Sequence, residues 1–322
     1  MKLVTFEQQT TRRIGHVDTD TQTVFDLTRA SGNDPAFATM LDLIDAGEAA
    51  LGHAREMAAD PALVARHSSP LAQLRLLAPL PVPRQMRDFS VFPGHIKQAP
   101  RGMRRLAAMA RGDEAAAAAA KPLDAVPDIY SAQPAYYLTN RFSVIGPDTV
   151  VAWPRYSRMM DFECEFGIVI ARPGRDIAVG DAGSHIFGYT IYNDFSARDT
   201  QLAEMQTMLG PTKGKSFDYG NAIGPWIVTP DELADPYKLA MEARVNGEVW
   251  GRGSSADMLF TFEDMIAHVS RDETLHAGEF FGSGTMGNGC GLELDRFLTD
   301  GDVVELEVEG LGVLRNTVRA QG

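Results

Sequence analysis

The chain has 322 residues, of which 44% are apolar and 23% charged, as expected of a globular protein with one large domain or two unequal ones. Its net charge of −13 argues against nucleic acid or anionic membranes as partners, because both need a basic surface. Two cysteines provide no disulfide framework, which fits a reducing cytoplasm, and we find neither a signal peptide nor an apolar run near the ~18 residues of a membrane span.

The first 76 residues are predicted to form a small α+β domain. Asn33-Asp34-Pro35 indicates a helix start, because an Asx side chain can cap the first turn and proline suits the first helical position. The proline-rich segment 74–83 is expected to be an extended connector to a larger domain, 77–322. Short strands with polar turns are expected at 2–6, 13–17 and 23–27.

Residues 101–130 are predicted to be a helical insertion. Arginines flank an alanine run at 115–120, and alanine is the strongest helix former. Two interpretations stay open for this segment: a mobile lid over a site, or a surface helix at a dimer contact.

From about residue 136 the sequence becomes β-rich. Glycine and Asp-Gly turns separate short apolar runs, and one amphipathic helix is expected at 262–269. The predicted strands lie at 143–145, 165–170, 186–193, 222–229, 241–245 and 303–308.

Two glutamates immediately precede an apolar, uncharged strand. Since residues i and i+2 of a strand face the same side, Glu163 and Glu165 should point at one spot, while Phe162, Cys164 and Phe166 take the other face. Two anions in apolar surroundings repel each other and lose hydration, and a hard divalent cation would offset both effects. The alternative is an edge strand whose glutamates are in water.

Other polar clusters occur in apolar surroundings at 88–95, 192–201 and 214–217. Acidic groups from several elements, without clustered histidine or cysteine, indicate an oxygen-only site for Mg²⁺, Ca²⁺ or Mn²⁺. Residues 282–287 match Gly-x-Gly-x-x-Gly but open no helix, so a nucleotide loop is not expected there. They form either a tight loop facing a ligand or a plain turn.

These motifs together resemble the fumarylacetoacetate hydrolase family. The resemblance rests on Asp-x-Glu-x-Glu at 161–165, Tyr-Asn-Asp-Phe-Ser-Ala-Arg-Asp-x-Gln at 192–201 and Gly-Lys-Ser-Phe at 214–217, and it extends from about residue 77 to the end of the chain. It implies a β-rich α+β fold, with a mixed β-roll as the C-terminal catalytic domain behind the small N-terminal domain. It also implies a homodimer.

The resemblance further implies roles for individual residues. The metal ligands would be Asp88, Glu163, Glu165 and Asp194. His95 would be the general base, oriented by Glu293, and Lys215 would be the catalytic lysine. The substrate-binding residues would be Arg198, Gln201, Thr285 and Arg104.

Three positions depart from the family pattern. Ser90 replaces a tyrosine that contacts substrate, and Tyr219 replaces a threonine. Relatives that are decarboxylases or isomerases carry His-x-x-Glu, whereas His95 is followed by Gln98, which favours the hydrolase-type pair of His95 with Glu293.

The expected function is therefore a metal-dependent hydrolase that cleaves a C–C bond in a 1,3-diketone or diketo acid of the fumarylacetoacetate or acylpyruvate type. In this scheme His95 activates a water molecule, and Mg²⁺ (or Ca²⁺ or Mn²⁺) stabilises the enolate. The alternative is a decarboxylase, or an isomerase or tautomerase, of a 2-keto or diketo acid. A non-catalytic metal-dependent binding protein is the third interpretation.

Overall fold

The computed structural model describes residues 1–321 and has a mixed α+β fold in which strands outnumber helices. The strands are β1 (Lys2–Gln8), β2 (Thr11–Asp18), β3 (Thr23–Asp26), β4 (Ser68–Pro70), β5 (Arg75–Leu76), β6 (Met86–Phe89), β7 (Tyr136–Leu138), β8 (Val144–Ile145), β9 (Val150–Trp153), β10 (Met160–Asp161), β11 (Cys164–Ile170), β12 (Ile186–Asp194), β13 (Ser196–Ala197), β14 (Asn221–Val228), β15 (Ala240–Val245), β16 (Glu248–Ser254), β17 (Phe280–Gly282), β18 (Val303–Val308) and β19 (Gly312–Ala320).

The helices are mostly short and lie between groups of strands. They are α1 (Leu27–Ala30), α2 (Met40–Ala59), α3 (Pro61–His67), α4 (Pro93–Ala110), α5 (Glu114–Ala119), α6 (Asp128–Ala132), α7 (Val179–Ala182), α8 (Arg198–Glu204), α9 (Phe262–Val269) and α10 (Gly291–Leu294). Among the described residues, no helix combines the length and apolarity needed to span a membrane.

Two large sheets form the scaffold. The larger runs in the order β4-β3-β2-β1-β14-β12-β11-β17-β6-β7, with β5 beside β1 and β8 beside β14, and the smaller runs β16-β15-β18-β19-β9. Strands β11, β12 and β14 contact β15, β18 and β19 of the smaller sheet, and buried apolar side chains from both sheets form the main core. This packing explains why β11 is buried on both faces and has an almost purely apolar sequence.

The two faces of β11 differ as its alternating sequence predicts. Phe162, Cys164 and Phe166 lie in the main core between the sheets. Val169 points to the opposite face, which packs against a second apolar cluster that includes α2. Glu165 is four residues from Val169 and therefore shares this second face.

The N-terminal strands belong to the larger sheet. Strand β1 pairs antiparallel with β14, with Lys2 opposite Val228, so one hydrogen-bonded sheet runs across the boundary predicted at residue 76. The division into an N-terminal domain 1–76 and a catalytic domain 77–322 stays a prediction.

Helix α2 begins later than the sequence predicts. Asp34 caps only a single 3-10 turn, Pro35–Phe37, and Thr39 caps α2 by accepting a hydrogen bond from the amide of Asp42. By contrast, α9 covers the predicted residues 262–269 and begins with a capping box formed by Thr261 and Asp264.

The segment 101–130 is helical, as predicted, but it is not one helix. Helix α4 starts at Pro93, before the segment, and ends at Ala110; Arg111 is its C-cap, and Gly112 then adopts a φ of 73°. Helix α4 contacts α10, and Leu106 packs with Cys290 and Leu292 in a small apolar cluster. The first part of the segment is thereby packed beside α10, and both interpretations of the segment, a lid or a surface helix at a dimer contact, stay predictions.

Candidate active site

Neighbouring strands of the larger sheet carry acidic side chains on the same face. Asp88 on β6 lies opposite Tyr137 on β7 and Gly282 on β17. Glu165 on β11 lies opposite Tyr192 on β12, and Asp194 ends β12 two residues later. Alternation therefore directs Asp88, Glu165 and Asp194 to one region of this face.

Glu163 completes a cluster of four buried carboxylates. Its backbone forms an isolated bridge with Cys290 just before β11 begins. One oxygen from each of the four carboxylates lies within 4.8 Å of the others. Oδ1 of Asp88 and Oδ1 of Asp194 are buried without a hydrogen-bond partner among residues 1–321. The acidic residues predicted as metal ligands are thus brought together.

The pKa values of three of the four carboxylates are raised in the protein alone. Burial, followed by the charge of Asp194, raises the pKa of Asp88 well above its usual value. Burial and the charge of Asp88 raise the pKa of Glu165, and burial raises that of Asp194. Glu163 behaves in the opposite way: although burial opposes it, the neighbouring Lys215 and Arg198 lower its pKa.

Two cations contact Glu163 directly. The Nζ atom of Lys215 lies 2.7 Å from Glu163 Oε2 and 2.6 Å from Asp194 Oδ2. Nη2 of Arg198 lies 2.7 Å from Glu163 Oε1 as an ion pair without the alignment of a hydrogen bond. Both cations are buried, and together they offset the charge of Glu163. The charges of Asp88, Glu165 and Asp194 are offset only in part, through the contact of Lys215 with Asp194.

The cluster fits a hard divalent cation. It offers carboxylate oxygens only, it carries excess negative charge, and two of its oxygens have no partner among the described residues. These are the conditions under which Mg²⁺, Mn²⁺ or Ca²⁺ binds to a protein. The site that the sequence predicts is therefore a candidate metal site in the structure as well.

A histidine–glutamate pair lies at the edge of this cluster. His95 is near the start of α4 and Glu293 is on α10, and His95 Nδ1 lies 2.5 Å from Glu293 Oε1. The Glu293 side chain is fully buried, and its other oxygen, Oε2, accepts a hydrogen bond from the backbone N–H of Asn288. Since this contact fixes Nδ1, the other ring nitrogen is available for proton transfer.

Of the four predicted substrate-binding residues, Arg198, Gln201 and Thr285 lie at or beside the carboxylate cluster, and Arg104 does not. Nη1 of Arg198 donates to Gln201 Oε1 at 2.9 Å, so the two side chains are bonded to each other. The Thr285 hydroxyl donates to Glu165 Oε1 at 3.3 Å. Arg104 lies outside the cluster: its side chain is exposed and donates to the carbonyl of Lys121.

The glycine-rich loop after β17 supports Glu165 as well. Gly284 has a φ of 82°, which favours glycine, and its amide donates to Glu165 Oε2 at 2.9 Å. A β-carbon at Gly284 would lie 2.2 Å from the carbonyl oxygen of Phe89. Residues 282–287 therefore form a tight loop whose Gly284 amide and Thr285 hydroxyl face Glu165, and contact of this loop with a ligand stays a prediction.

Sequence reasoning missed two polar residues at this site. The Tyr137 hydroxyl donates to Asp194 Oδ2 at 2.5 Å, and no motif marks this residue. Asp161 opens the Asp-x-Glu-x-Glu motif, but the sequence analysis assigns it no role. Its place as the first acidic residue of that motif was the available signal, and the structure buries it fully.

Asp161 accepts hydrogen bonds from three chain segments. Its Oδ2 accepts from Arg198 Nε at 2.7 Å and from the Leu292 amide at 2.9 Å. Its Oδ1 accepts from the amides of Gly291 at 2.7 Å and Phe162 at 2.8 Å. A single carboxylate thus fixes both the arginine beside Glu163 and the first turn of the helix that carries Glu293.

The sequence is similar to a known protein family and to curated relatives. A family model described as "Fumarylacetoacetate (FAA) hydrolase C-terminal" matches residues 106–319. The human mitochondrial oxaloacetate tautomerase FAHD2A is 40% identical over 179 residues, which cover 55% of this chain and 56% of that protein. The Bacillus subtilis oxaloacetate tautomerase YisK is 36% identical, over 53% of this chain and 56% of that protein. The chain thus matches these curated relatives over about half of their length.

Solved structures resemble the whole chain. The fumarylacetoacetate hydrolase of Exiguobacterium antarcticum superposes with a TM-score of 0.73 at 29% identity, with both chains fully covered. A maleylpyruvate hydrolase from Sphingobium sp. SYK-6, solved with manganese(II) and pyruvate, has a TM-score of 0.72 at 23% identity, again with full coverage of both chains, and supports the fold.

These relatives correct the function expected from the sequence. A hydrolase of C–C bonds was the main expectation, but curated relatives at 36% and 40% identity are oxaloacetate tautomerases. The pairing of His95 with Glu293 therefore does not indicate hydrolysis. The physical reason is that one positioned base can serve either reaction, since it can take a proton from carbon or from water.

Proposed function

The chain belongs to the fumarylacetoacetate hydrolase family, and from this membership we propose that it is a tautomerase that interconverts the keto and enol forms of a 2-oxo dicarboxylic acid of the oxaloacetate type. The family is one of enzymes. The observation that carries the choice of reaction is the 36% and 40% identity to curated oxaloacetate tautomerases, and the contact of 2.5 Å between His95 and Glu293 at the edge of the carboxylate cluster supplies the base that the reaction needs.

The reaction needs a base that moves one proton. His95 takes the proton from the carbon between the two carbonyl groups, and the electron pair of that C–H bond forms the C=C bond while the C=O π pair moves onto the ketone oxygen. The protonated His95 then returns its proton to that oxygen, which becomes the enol hydroxyl. Glu293 holds Nδ1 and stabilises the imidazolium that forms, because its carboxylate lies 2.5 Å away. No water molecule attacks and no C–C bond breaks.

Two features of the site bear on substrate binding. His95 retains 15% side-chain exposure, so its ring is accessible. Arg198 fixes the amide of Gln201 by donating to its oxygen, which leaves the amide nitrogen to donate to a substrate oxygen.

We propose that Asp88, Glu163, Glu165 and Asp194 hold Mg²⁺ or Mn²⁺. A divalent cation bound there supplies positive charge that stabilises the negative charge developing on the substrate. Lys215, held between Glu163 and Asp194, adds to this positive potential.

The test is an assay of oxaloacetate supplied as its enol form, with Mg²⁺ present. We expect the protein to accelerate loss of the enol absorbance above the rate with Mg²⁺ alone, while total oxaloacetate stays constant. His95→Asn should lower the rate by roughly 10²- to 10⁴-fold, since it removes the base. His53→Asn, at an exposed position on α2, is the matched control and should leave the rate unchanged.

Two outcomes would contradict the proposal. Release of CO₂ together with pyruvate at the rate of enol loss would identify a decarboxylase. Equal rates with and without the protein would exclude oxaloacetate as a substrate.

A further inference from the structure

A buried thiol lies beside the histidine–glutamate pair. Cys290 Sγ is 3.9 Å from His95 Nδ1 and 3.8 Å from Glu293 Oε1, and the three atoms form a small triangle. Cys290 precedes α10, and its side chain does not cap that helix. The side chain packs against Leu106 and Leu292, but the proposed proton transfer assigns no task to its thiol group.

The three atoms match the ligand set of a borderline-soft cation. Imidazole nitrogen, thiolate sulfur and carboxylate oxygen are the ligands that zinc prefers, whereas the neighbouring carboxylate cluster has oxygens only. In a tetrahedral zinc site, bond lengths of about 2.0–2.3 Å separate ligand atoms by about 3.5 Å. The two distances that involve sulfur are within about 0.4 Å of that value.

Only the distance from His95 to Glu293 must increase. These two atoms are 2.5 Å apart in a hydrogen bond, and a metal ion takes the place of its proton when it binds. The thiol also loses its proton on coordination. Three protein ligands leave a fourth position for water, and the partly exposed His95 ring provides the route of entry.

We propose that His95, Cys290 and Glu293 form a second metal site, which binds zinc or a similarly thiophilic cation and inhibits the enzyme. The cation binds Nδ1 of His95, so the ring proton must reside on the other nitrogen, the one that faces the substrate. That nitrogen then has no lone pair with which to accept a proton from carbon. Inhibition follows without displacement of the substrate.

The two metal sites are adjacent but use different residues. The backbone of Cys290 forms a bridge with Glu163, a member of the carboxylate cluster, yet no side chain belongs to both candidate sites. The chain can therefore distinguish a hard cation, which supports the reaction, from a thiophilic cation, which stops it.

The first experiment measures binding without any reaction. Co²⁺ is added to the Mg²⁺-loaded full chain, and the near-ultraviolet charge-transfer absorption of a cobalt–thiolate bond is recorded. We expect one equivalent of Co²⁺ to produce the band and Zn²⁺ to abolish it. Cys290→Ala should remove the band.

Cys164→Ala is the matched control, because Cys164 is the other buried cysteine and lies in the core between the sheets. This variant should keep the cobalt band. Thermal unfolding of both variants checks that each is folded. A cobalt band that persists in Cys290→Ala, or its absence from the unmodified protein, would overturn the proposal.

The second experiment measures inhibition and rests on the proposed tautomerase activity. Zn²⁺ should lower kcat at saturating Mg²⁺ with little change in KM, and Cys290→Ala should raise the inhibitory Zn²⁺ concentration at least tenfold. Equal sensitivity of the two proteins would show that Zn²⁺ acts elsewhere and would overturn the inhibitory role. If the protein had no tautomerase activity, the cobalt experiment would still test the site.

Discussion

Glu163 and Glu165 lie two residues apart on one face of the chain, but their surroundings give them opposite acid–base behaviour. Glu163 contacts Lys215 and Arg198, which lower its pKa. Glu165 is buried near Asp88, and its pKa is raised. In the absence of metal, Glu163 is therefore part of a buried ion-pair network, whereas burial and nearby carboxylates hold the pKa of Glu165 well above its usual value.

This difference predicts different effects of the same amide substitution. In the metal-free protein, Glu163→Gln should lower the free energy of unfolding by about 3 kcal/mol, because it leaves two buried cations with fewer partners. Glu165→Gln should change it by no more than about 1 kcal/mol, since an amide keeps an acceptor for Gly284 and can donate to Asp88. Denaturant unfolding with a chelator present measures both values.

Both substitutions should weaken Mg²⁺ binding at least tenfold, which titration calorimetry measures. Equal losses of stability in the two metal-free variants would contradict the distinction between the glutamates.

Residue patterns predict part of this site. Alternation alone places Glu163 and Glu165 together, because a strand has a fixed period of two. The pairing of Arg198 with Gln201, and of Thr285 with Glu165, is not encoded in a local pattern. These pairings depend on how separate segments of the chain meet. The family resemblance assigns these residues to substrate binding, and in the structure they also bond to other residues of the protein.

At the scale of elements, the short helix α10 needs an external anchor. It has only four residues, too few to be stable alone, and it carries Glu293. Asp161 accepts hydrogen bonds from its first two amides and also from Arg198. Asp161 is thus a positioning residue that links the histidine–glutamate pair to the carboxylate cluster.

Asp161→Asn should impair positioning more than substrate binding. Both oxygens of Asp161 accept hydrogen bonds, one group of them from the amides of α10 and one from Arg198. Asparagine replaces one oxygen with an NH₂ group, which cannot accept, so α10 and Arg198 cannot both keep their contacts. We expect kcat to fall roughly 100-fold with little change in KM, as for a displacement of about 1 Å in a catalytic group. We also expect the pH profile of kcat to shift, because Glu293 no longer holds His95 in place.

Asp199→Asn is the control, because Asp199 lies in the same 192–201 motif but bonds to Ser157 and the Arg158 amide. Its kcat and pH profile should be unchanged. If Asp161→Asn lowered only the thermal stability and left the pH profile in place, its role would be structural.

At the scale of the whole molecule, one sheet carries both the N-terminal strands and the candidate site. The strands themselves follow from local apolar runs, and those predicted at 165–170, 186–193 and 303–308 are confirmed to within one residue at each end. The pairing of β1 with β14 could not be predicted, because it joins residues more than two hundred positions apart. The homodimer expected from the family resemblance stays a prediction.

The carboxylate cluster is buried on one face of the larger sheet, so its protonation affects the stability of the whole protein. The folded-state pKa values of Asp88, Glu165 and Asp194 are raised, so the native state binds these protons more tightly than the unfolded state does. Their stabilising contribution is therefore complete below the unfolded values of about 4 and is lost as the pH rises through the folded values. The pKa of Glu163 is lowered, so its stabilising contribution has the opposite pH dependence and is lost only at acidic pH.

We therefore expect the metal-free protein to become less stable as the pH rises above the unfolded pKa values of about 4, by up to about 1.4 kcal/mol per pH unit for each proton released. Mg²⁺ binds the native state with its carboxylates ionised, so the increase in Tm that it causes should grow over the same range. Thermal unfolding with a chelator or with Mg²⁺ at several pH values measures this difference. Glu165→Gln should flatten the dependence because it removes one of the three groups, whereas a Mg²⁺-induced increase that shrinks as the pH rises would show that these carboxylates are not the ligands.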